Sequence, residues 1–221
     1  NRHDRFRGLL ARAAGAPPLP TAIAHPCDAN AIAAAVDAAE AGLIIPILVG
    51  PLGRIGAAAK AAEVDIGRYR LVDAPHSEAS AEAAVALVRR GEASLLMKGS
   101  LHTDELLHAV LAPETGLRTG RRLSHVYLFD VPGYPRPLLV TDAAVNIAPT
   151  LEEKRDIIQN AIDLAHVMGI AEPRVAVLSA VETINVKIPS TVDAAALSKM
   201  ASRGQIQGGL VDGPLAFDNA V

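Results

Sequence analysis

The chain has no tryptophan and only three tyrosines and three phenylalanines, so aromatic residues make up 3% of its 221 positions. It has a single cysteine, Cys27, which excludes an intrachain disulfide and points most simply to a reducing compartment. Basic residues are not in excess: 21 Lys and Arg against 24 Asp and Glu leave a formal charge of −3. A chain of that balance has no surplus of cations to neutralise a phosphate backbone, which argues against nucleic acid as its partner. Long apolar runs are missing too. The most apolar stretch, residues 42–52, is broken by Pro46 and Pro51 and falls short of the roughly 20 residues that span a bilayer. Residues 1–7 are charged and lead into no apolar signal core. These absences exclude collagen, disorder and small disulfide scaffolds, and the expected protein is soluble and cytoplasmic, without a membrane partner.

What is present is aliphatic. Half of the residues are hydrophobic and alanine is about a fifth, a composition typical of helices packed closely on a sheet. The length allows one domain or two and is enough to bury a full core. Short apolar runs at residues 21–24, 43–49, 69–72 and 94–97 alternate with helical patterns at 28–41, 54–62, 77–90 and 103–111. Thr103 is the expected N-cap of the last of these. Residues 122–129 and 137–140 pattern as two strands joined by the turn Val131-Pro132-Gly133-Tyr134. A strong helix follows at 151–168. Thr150 and Glu153 have capping-box spacing, and Ile157, Ile158, Ala161, Ile162 and Ala165 form an apolar stripe. Residues 174–178 and 205–211 are expected strands flanking a helix at 190–201. The alternation predicts an α/β fold of mostly parallel sheets covered by helices, in two three-layer domains divided at Pro149, residues 1–149 and 150–221.

Ligands of open α/β sheets bind outside the carboxyl ends of the strands, so the residues that follow each strand matter most. Here they are His25, Gly50-Pro51, Asp73, Lys98-Gly99-Ser100, Thr141-Asp142, Ser179 and Asp212-Gly213-Pro214. Lys98 places a cation at the sheet mouth, Gly99 lets a ligand approach the backbone, and Ser100 with Thr103 offers donors to an anion. The same four residues also suit an ordinary strand-to-helix turn with an extended lysine. There is no Walker loop and no Gly-x-Gly-x-x-Gly after the first strand. Ser124 and His125 are adjacent, so on a strand they face opposite sides and do not make a nucleophile–base pair; the histidine is expected to be a satisfied core residue. Asp104 and His108 have an i, i+4 spacing compatible with a metal or, more simply, with a solvated helix face. Asp142 and Asn146 suit ribose, pantetheine or phosphate binding, or capping of the turn before Pro149. Asp212-Gly213-Pro214 combines an N-cap candidate with proline at a first helical position, which predicts a helix start.

An ordered set of short motifs carries a resemblance over most of the chain. It comprises His25-Pro-Cys-Asp28, Ile47-Leu-Val-Gly-Pro51, Leu96-Met-Lys-Gly-Ser100, Leu123-Ser-His-Val126, Thr141-Asp-Ala-Ala-Val-Asn146, Ala194-Ala-Ala-Leu-Ser-Lys-Met200 and Val211-Asp-Gly-Pro-Leu-Ala-Phe-Asp-Asn219. In this order the motifs resemble the phosphate acetyltransferase and phosphate butyryltransferase family, including the phosphate acetyltransferase part of fused enoyl-CoA hydratase proteins. The resemblance implies reversible transfer of an acetyl or short-chain acyl group between coenzyme A and inorganic phosphate. It implies no metal and no organic cofactor, coenzyme A and phosphate being substrates. It also implies two domains like those of isocitrate and isopropylmalate dehydrogenases, an active site in the cleft between them, and a homodimer. The family's catalytic Ser-Arg pair and aspartate are expected in a segment beyond Val221, so the second domain is expected to be incomplete here. Lys98, Gly99, Ser100 and Thr103 then fit a phosphate or acyl-phosphate loop, and Ser124, Asp142, Asn146, Gly213 and Pro214 the neighbouring wall. Two other readings remain: a metal- and NAD-dependent dehydrogenase of a phosphorylated hydroxy acid, and a non-catalytic module that binds coenzyme A or an anion.

Overall fold

The computed structural model describes residues 4–221, so Asn1 to His3 of the charged N-terminal stretch lie outside the described residues. The chain divides into two compact units, Asn1–Thr119 and Gly120–Val221. Pro149 therefore lies inside the second unit, and the expected boundary moves to an earlier point in the chain. The reason is local: Arg121, Arg122 and Ser124, just after Gly120, are hydrogen-bonded to the helix that follows Pro149.

No element is expected before residue 21, yet Asp4–Ala14 form helix α1, a stretch rich in the helix formers Arg, Leu and Ala. The first unit continues as β1 (Leu19–Ala24), α2 (Ala29–Glu40), β2 (Ile44–Gly50), α3 (Leu52–Ala61), β3 (Arg70–Asp73), α4 (Ser77–Arg89), β4 (Leu95–Lys98) and α5 (Thr103–Leu111). The four strands form one parallel sheet in the order β3-β2-β1-β4. Because β1 and β2 are covered on both sides, their residues sort by parity. Ala22, Ala24, Ile47 and Val49 join a core with Ala81, Ala84, Val85 and Leu87 of α4 and Ala109 of α5. Ile23 and Leu48 join the opposite core with Ile32 and Ala35 of α2 and Ile55, Ala58 and Ala59 of α3. Large side chains such as Ile23, Ile32, Leu48 and Ile55 are at most 1% exposed. Each contributes roughly 1.5–3 kcal/mol by burial. The alanines let the helices approach the sheet closely, as the composition predicts.

The second unit comprises the antiparallel pair β5 (Tyr127–Phe129) and β6 (Leu138–Val140), then α6 (Leu151–Val167), β7 (Arg174–Leu178), α7 (Pro189–Ser202), β8 (Leu210–Leu215) and the short α8 (Phe217–Ala220). β7 and β8 are parallel, and Val175 and Val211 pack with Ile158, Ile162, Leu197 and Ile206. The capping box of α6 is formed as predicted, with Thr150 N donating to Glu153 Oε2 at 2.8 Å and Glu153 N to Thr150 Oγ1 at 3.3 Å.

Four local expectations change. The strand expected at 122–129 begins only at Tyr127. The N-cap of α5 is His102, and Thr103 is the first helical residue. The strand expected at 205–211 starts at Leu210, because Gly208 turns the chain at φ +83° and its successor passes close to the Pro173 carbonyl. Asp212-Gly213-Pro214 is strand rather than helix start, since pairing with β7 continues to Leu215 across a register shift. A cap-and-proline signal is short-range, and the parallel partner strand outweighs it.

Among the described residues no helix is long and apolar enough to cross a membrane.

Candidate functional site

The strand order of the first unit turns back at β1: β2 and β3 lie on one side of it and β4 on the other. Such a switch point opens a crevice at the carboxyl ends of the two strands that meet there, β1 and β4. The residues placed there are His25, Pro26 and Cys27 after β1 and Lys98, Gly99 and Ser100 after β4, with Lys98 in register with Ala24.

The two strand ends are stitched to each other. Gly99 N donates to Ala24 O at 2.8 Å and Ser100 N to His25 O at 2.9 Å. Ser100 Oγ donates to His25 O at 2.8 Å and accepts from Cys27 N at 3.0 Å. A Cβ on Gly99 would lie 2.5 Å from Ala24 O and 2.6 Å from His25 O, so this glycine is set by the protein's own backbone rather than by a ligand. Lys98 Nζ donates to Leu101 O at 2.7 Å and Gly99 O at 3.2 Å. These two bonds fold the ammonium over its loop and leave its third hydrogen without a partner among the described residues. Thr103 opens α5, and the Glu105 carboxylate beside it accepts from His102 N at 2.8 Å and from Ser77 Oγ at 2.5 Å. The Ser77 and His102 hydrogen bonds hold the Glu105 carboxyl below the usual carboxylate range.

In the sequence His25 is marked only by its place after a strand. It is 4% exposed and has a left-handed φ of 56°, a conformation that histidine adopts less readily than glycine. Its Nδ1 lies 3.1 Å from Ser80 Oγ, while Ser80 Oγ donates its one hydrogen to His76 O at 2.6 Å. Ser80 must therefore accept from His25, so Nδ1 carries the proton and Nε2 presents a lone pair. Burial, reinforced by the Arg54 charge, pushes the His25 pKa below its ordinary value of 6.5; Glu105 opposes this and His76 adds to it. Burial likewise pushes the Cys27 thiol up, against the pull of Arg54, which keeps it from being a reactive thiolate at neutral pH.

The sign of the His25 effect follows from linkage. The unfolded chain takes up this proton more readily, so the neutral ring's stability is present above pH 6.5 and is lost as pH falls through the lower folded value. His25→Asn keeps a residue that tolerates the left-handed region and removes the titration. The variant is expected to show a flatter decline of the urea midpoint between about pH 7 and pH 5. A decline parallel to that of wild type would mean that another group is responsible.

The second unit assembles Ser124, Asp142 and Asn146 in one polar network. Asp142 Oδ1 accepts from His125 N at 2.9 Å, and Oδ2 accepts from Asn146 N at 2.7 Å and from Asn146 Nδ2. Burial opposes ionisation of Asp142, but these bonds outweigh it and the carboxyl lies below its ordinary range. Both of its oxygens are occupied, so Asp142 organises the loop after β6. Asn146 Nδ2 also reaches Leu123 O at 2.9 Å, while Asn146 Oδ1 accepts from Arg122 Nε at 2.6 Å.

One polar stripe of α6 holds the segment before β5. Glu153 pairs with Arg122 at 2.9 Å and Asp156 accepts from Arg122 N at 3.0 Å. Asn160 Nδ2 donates to Arg122 O and to Ser124 Oγ, both at 2.9 Å, and Asp163 pairs with Arg121 at 2.5 Å. Positions 153, 156, 160 and 163 recur at the spacing of one helix face. That spacing is visible in the sequence beside the apolar stripe, and it is the signal by which Arg122 and Asn160 could have been found.

Ser124 and His125 are not paired, as expected from their adjacency. The expectation of a satisfied core histidine at 125 is not met: its Nδ1 is buried without a hydrogen-bond partner among the described residues. The ring instead packs edge-on against Tyr127 at 4.4 Å, with its backbone N–H taken by Asp142 and its carbonyl by Thr141. Gly213 and Pro214 stand apart from the network, on β8. A Cβ at Gly213 would lie 2.7 Å from Val177 O, so this glycine serves the packing of β8 on β7.

Comparison with known proteins identifies the family of the chain. Residues 77–221 match the family model described as "Phosphate acetyl/butaryl transferase". The chain is 58% identical over 218 residues to the phosphate acetyltransferase of Rhizobium meliloti, which covers 99% of this chain and 69% of that protein. It is 54% identical over 217 residues to the phosphate acetyltransferase of Rickettsia typhi, covering 98% of this chain and 62% of that one. It is 44% identical over 200 residues to the phosphate butyryltransferase of Clostridium acetobutylicum, covering 90% and 66%. The chain thus spans between 62% and 69% of the length of these relatives. A branched-chain phosphotransacylase from Enterococcus faecalis superposes with a TM-score of 0.73 at 30% identity, covering 90% of this chain and 69% of that one. A phosphotransacetylase from Streptococcus pyogenes has a TM-score of 0.80 at 19% identity over 99% of this chain and 74% of its own, a likeness of fold. With a family match extending from α4 to the last residue and close relatives aligned along nearly the whole chain, the protein belongs to the phosphate acetyl/butyryl transferase family.

Proposed function

We propose that the protein transfers an acetyl or short-chain acyl group between coenzyme A and inorganic phosphate, giving acyl phosphate and free coenzyme A in one direction. The observation that carries this reading is the family match over residues 77–221, supported by the 58% identity to a phosphate acetyltransferase. The physical task is to hold two anionic substrates and stabilise charge at the carbonyl under attack, which is work for oriented donors and cations. Lys98 and Ser100 with Gly99 and Thr103, and Ser124 with Asp142 and Asn146, are the residues of this chain assigned to that task; Gly213 and Pro214 support it through the packing of β8. The dehydrogenase-like two-domain description, the homodimer and the absence of a cofactor belong to the same proposal and rest on the family resemblance.

The test is to incubate the full-length protein with acetyl-CoA or butyryl-CoA and phosphate and to follow release of free thiol. Phosphate-dependent release with either substrate is the expected result, and none with both would end the proposal. Within this activity the two loop residues separate. Lys98→Ala is expected to raise the KM for phosphate or acyl phosphate with little loss of stability, because its bonds are to carbonyls of its own loop and join no second element. Ser100→Ala breaks two bonds that join β1 to β4, so its raised KM comes with a lowered urea midpoint. Unchanged kinetics in both variants would return the loop to a purely structural role.

A further inference from the structure

The Ser124 hydroxyl has one hydrogen to give, and the structure fixes where that hydrogen does not go. Asn160 Nδ2 donates to Ser124 Oγ at 2.9 Å and to the Arg122 carbonyl at 2.9 Å, which uses both amide hydrogens. The amide orientation is not free, because the reverse would set the Asn160 oxygen against the Arg122 carbonyl, acceptor to acceptor. Arg121 Nη1, at 3.5 Å from Asn160 Oδ1, agrees with this orientation. Ser124 Oγ therefore accepts from Asn160 and must direct its own hydrogen elsewhere. Among the described residues, Ser124 has no other hydrogen-bond partner.

We propose that Asn160 is a positioning residue that locks the Ser124 hydroxyl as a donor to an anionic substrate oxygen, that of phosphate or acyl phosphate. A hydroxyl locked as donor complements an oxygen that only accepts, as phosphate oxygens do when ionised, and it rejects groups that need an acceptor there. The supporting frame is rigid. The carbonyl of Arg122 is held by the same amide, its N–H by Asp156, and its guanidinium by Asn146 and Glu153. This places a fixed cation two residues from the hydroxyl along the chain. The inference rests on the acyl-transfer reading for the identity of the anion.

The experiment compares wild type, Ser124→Ala, Asn160→Asp and the double variant, in the full-length protein. Two readouts are taken: the phosphate KM against kcat in the thiol-release assay, and the affinity for inorganic phosphate by titration calorimetry. Ser124→Ala removes the donor and is expected to weaken phosphate roughly tenfold to a hundredfold with kcat little changed. Asn160→Asp turns Ser124 around, since a carboxylate can only accept, and is expected to cost a similar factor. In the Ser124→Ala background, Asn160→Asp is expected to add little. A full additional factor there would show an effect of charge alone and overturn the proposal. So would a Ser124→Ala protein with wild-type phosphate affinity, a result that does not depend on whether Asn160→Asp folds. An inactive wild type that still binds phosphate in a Ser124-dependent way would keep this proposal and end the acyl-transfer reading. An active wild type indifferent to both substitutions would do the reverse.

Discussion

Gly99→Ala is expected to destabilise the first unit by roughly 3 kcal/mol, seen as a lower urea midpoint with an unchanged slope. The added methyl would sit 2.5 Å from Ala24 O, 2.6 Å from His25 O and 2.7 Å from His25 C. All three are backbone atoms at the buried carboxyl end of β1, where Ala24 is 0% and His25 4% exposed, so no flexible side chain can move aside. Relief requires parting β1 from β4, which also breaks the Gly99 N and Ser100 N bonds across the junction. For a unit of this size such a loss lowers the melting temperature by roughly 10–20 °C. A midpoint within experimental error of wild type would mean that the two strand ends can separate at small cost. Gly53 is the matched control, being exposed on α3 with open space around its Cβ position. Alanine there is expected to be neutral or slightly stabilising.

The second large effect is expected at Asp142. Asp142→Ala removes the acceptor of His125 N, Asn146 N and Asn146 Nδ2 together, leaving two backbone donors of a half-buried loop without partners. The cost is roughly 2–4 kcal/mol in urea unfolding of the second unit. Asp142→Asn is expected to lose nearly as much, although it has almost the same shape. An amide has one accepting oxygen, so its NH2 would confront one of the N–H groups that the carboxylate now receives. The pH dependence carries the same sign. The folded pKa lies below the ordinary 3.8, so this contribution is present above that value and is lost as pH falls through the lower folded one. If Asp142→Asn behaved as wild type, the network would be decorative, and Asn146 and Arg122 would lose their claim to a fixed geometry with it. Because Asn146 orients Arg122, a loss of phosphate affinity is expected to accompany the loss of stability.

Much of this molecule is legible in the order of its residues. Short apolar runs and period-3.6 patterns locate the four parallel strands and their helices, because a strand covered on both faces is apolar throughout while burial along a helix stripe repeats at a fixed interval. The capping box at Thr150 and Glu153 is a rule spanning four residues, and α6 begins as it demands. The ordered motifs carry the family. Signals that fail are equally local. Asp212-Gly213-Pro214 has every mark of a helix start, yet β7 recruits it into a strand. The hairpin of β5 and β6 reads as the end of a first domain, while the stripe on α6 ties the segment before β5 to the second unit.

The residues alone establish what stands at the strand ends and what chemistry is on offer there: a lysine, a serine, an aspartate, an asparagine. What those groups are free to do depends on contacts that folding brings together. Ser100 meets His25 across 75 positions, His25 meets Ser80 across 55, and Ser124 meets Asn160 across 36. A hydrogen bond's direction is set by all the neighbours competing for one hydrogen, and no periodicity in the chain encodes that competition. So the loop of Lys98 to Ser100, whose residues suit an anion, spends most of its bonds on its own backbone. Ser124, one serine among several in the chain, has a hydroxyl whose hydrogen meets no acceptor among the described residues.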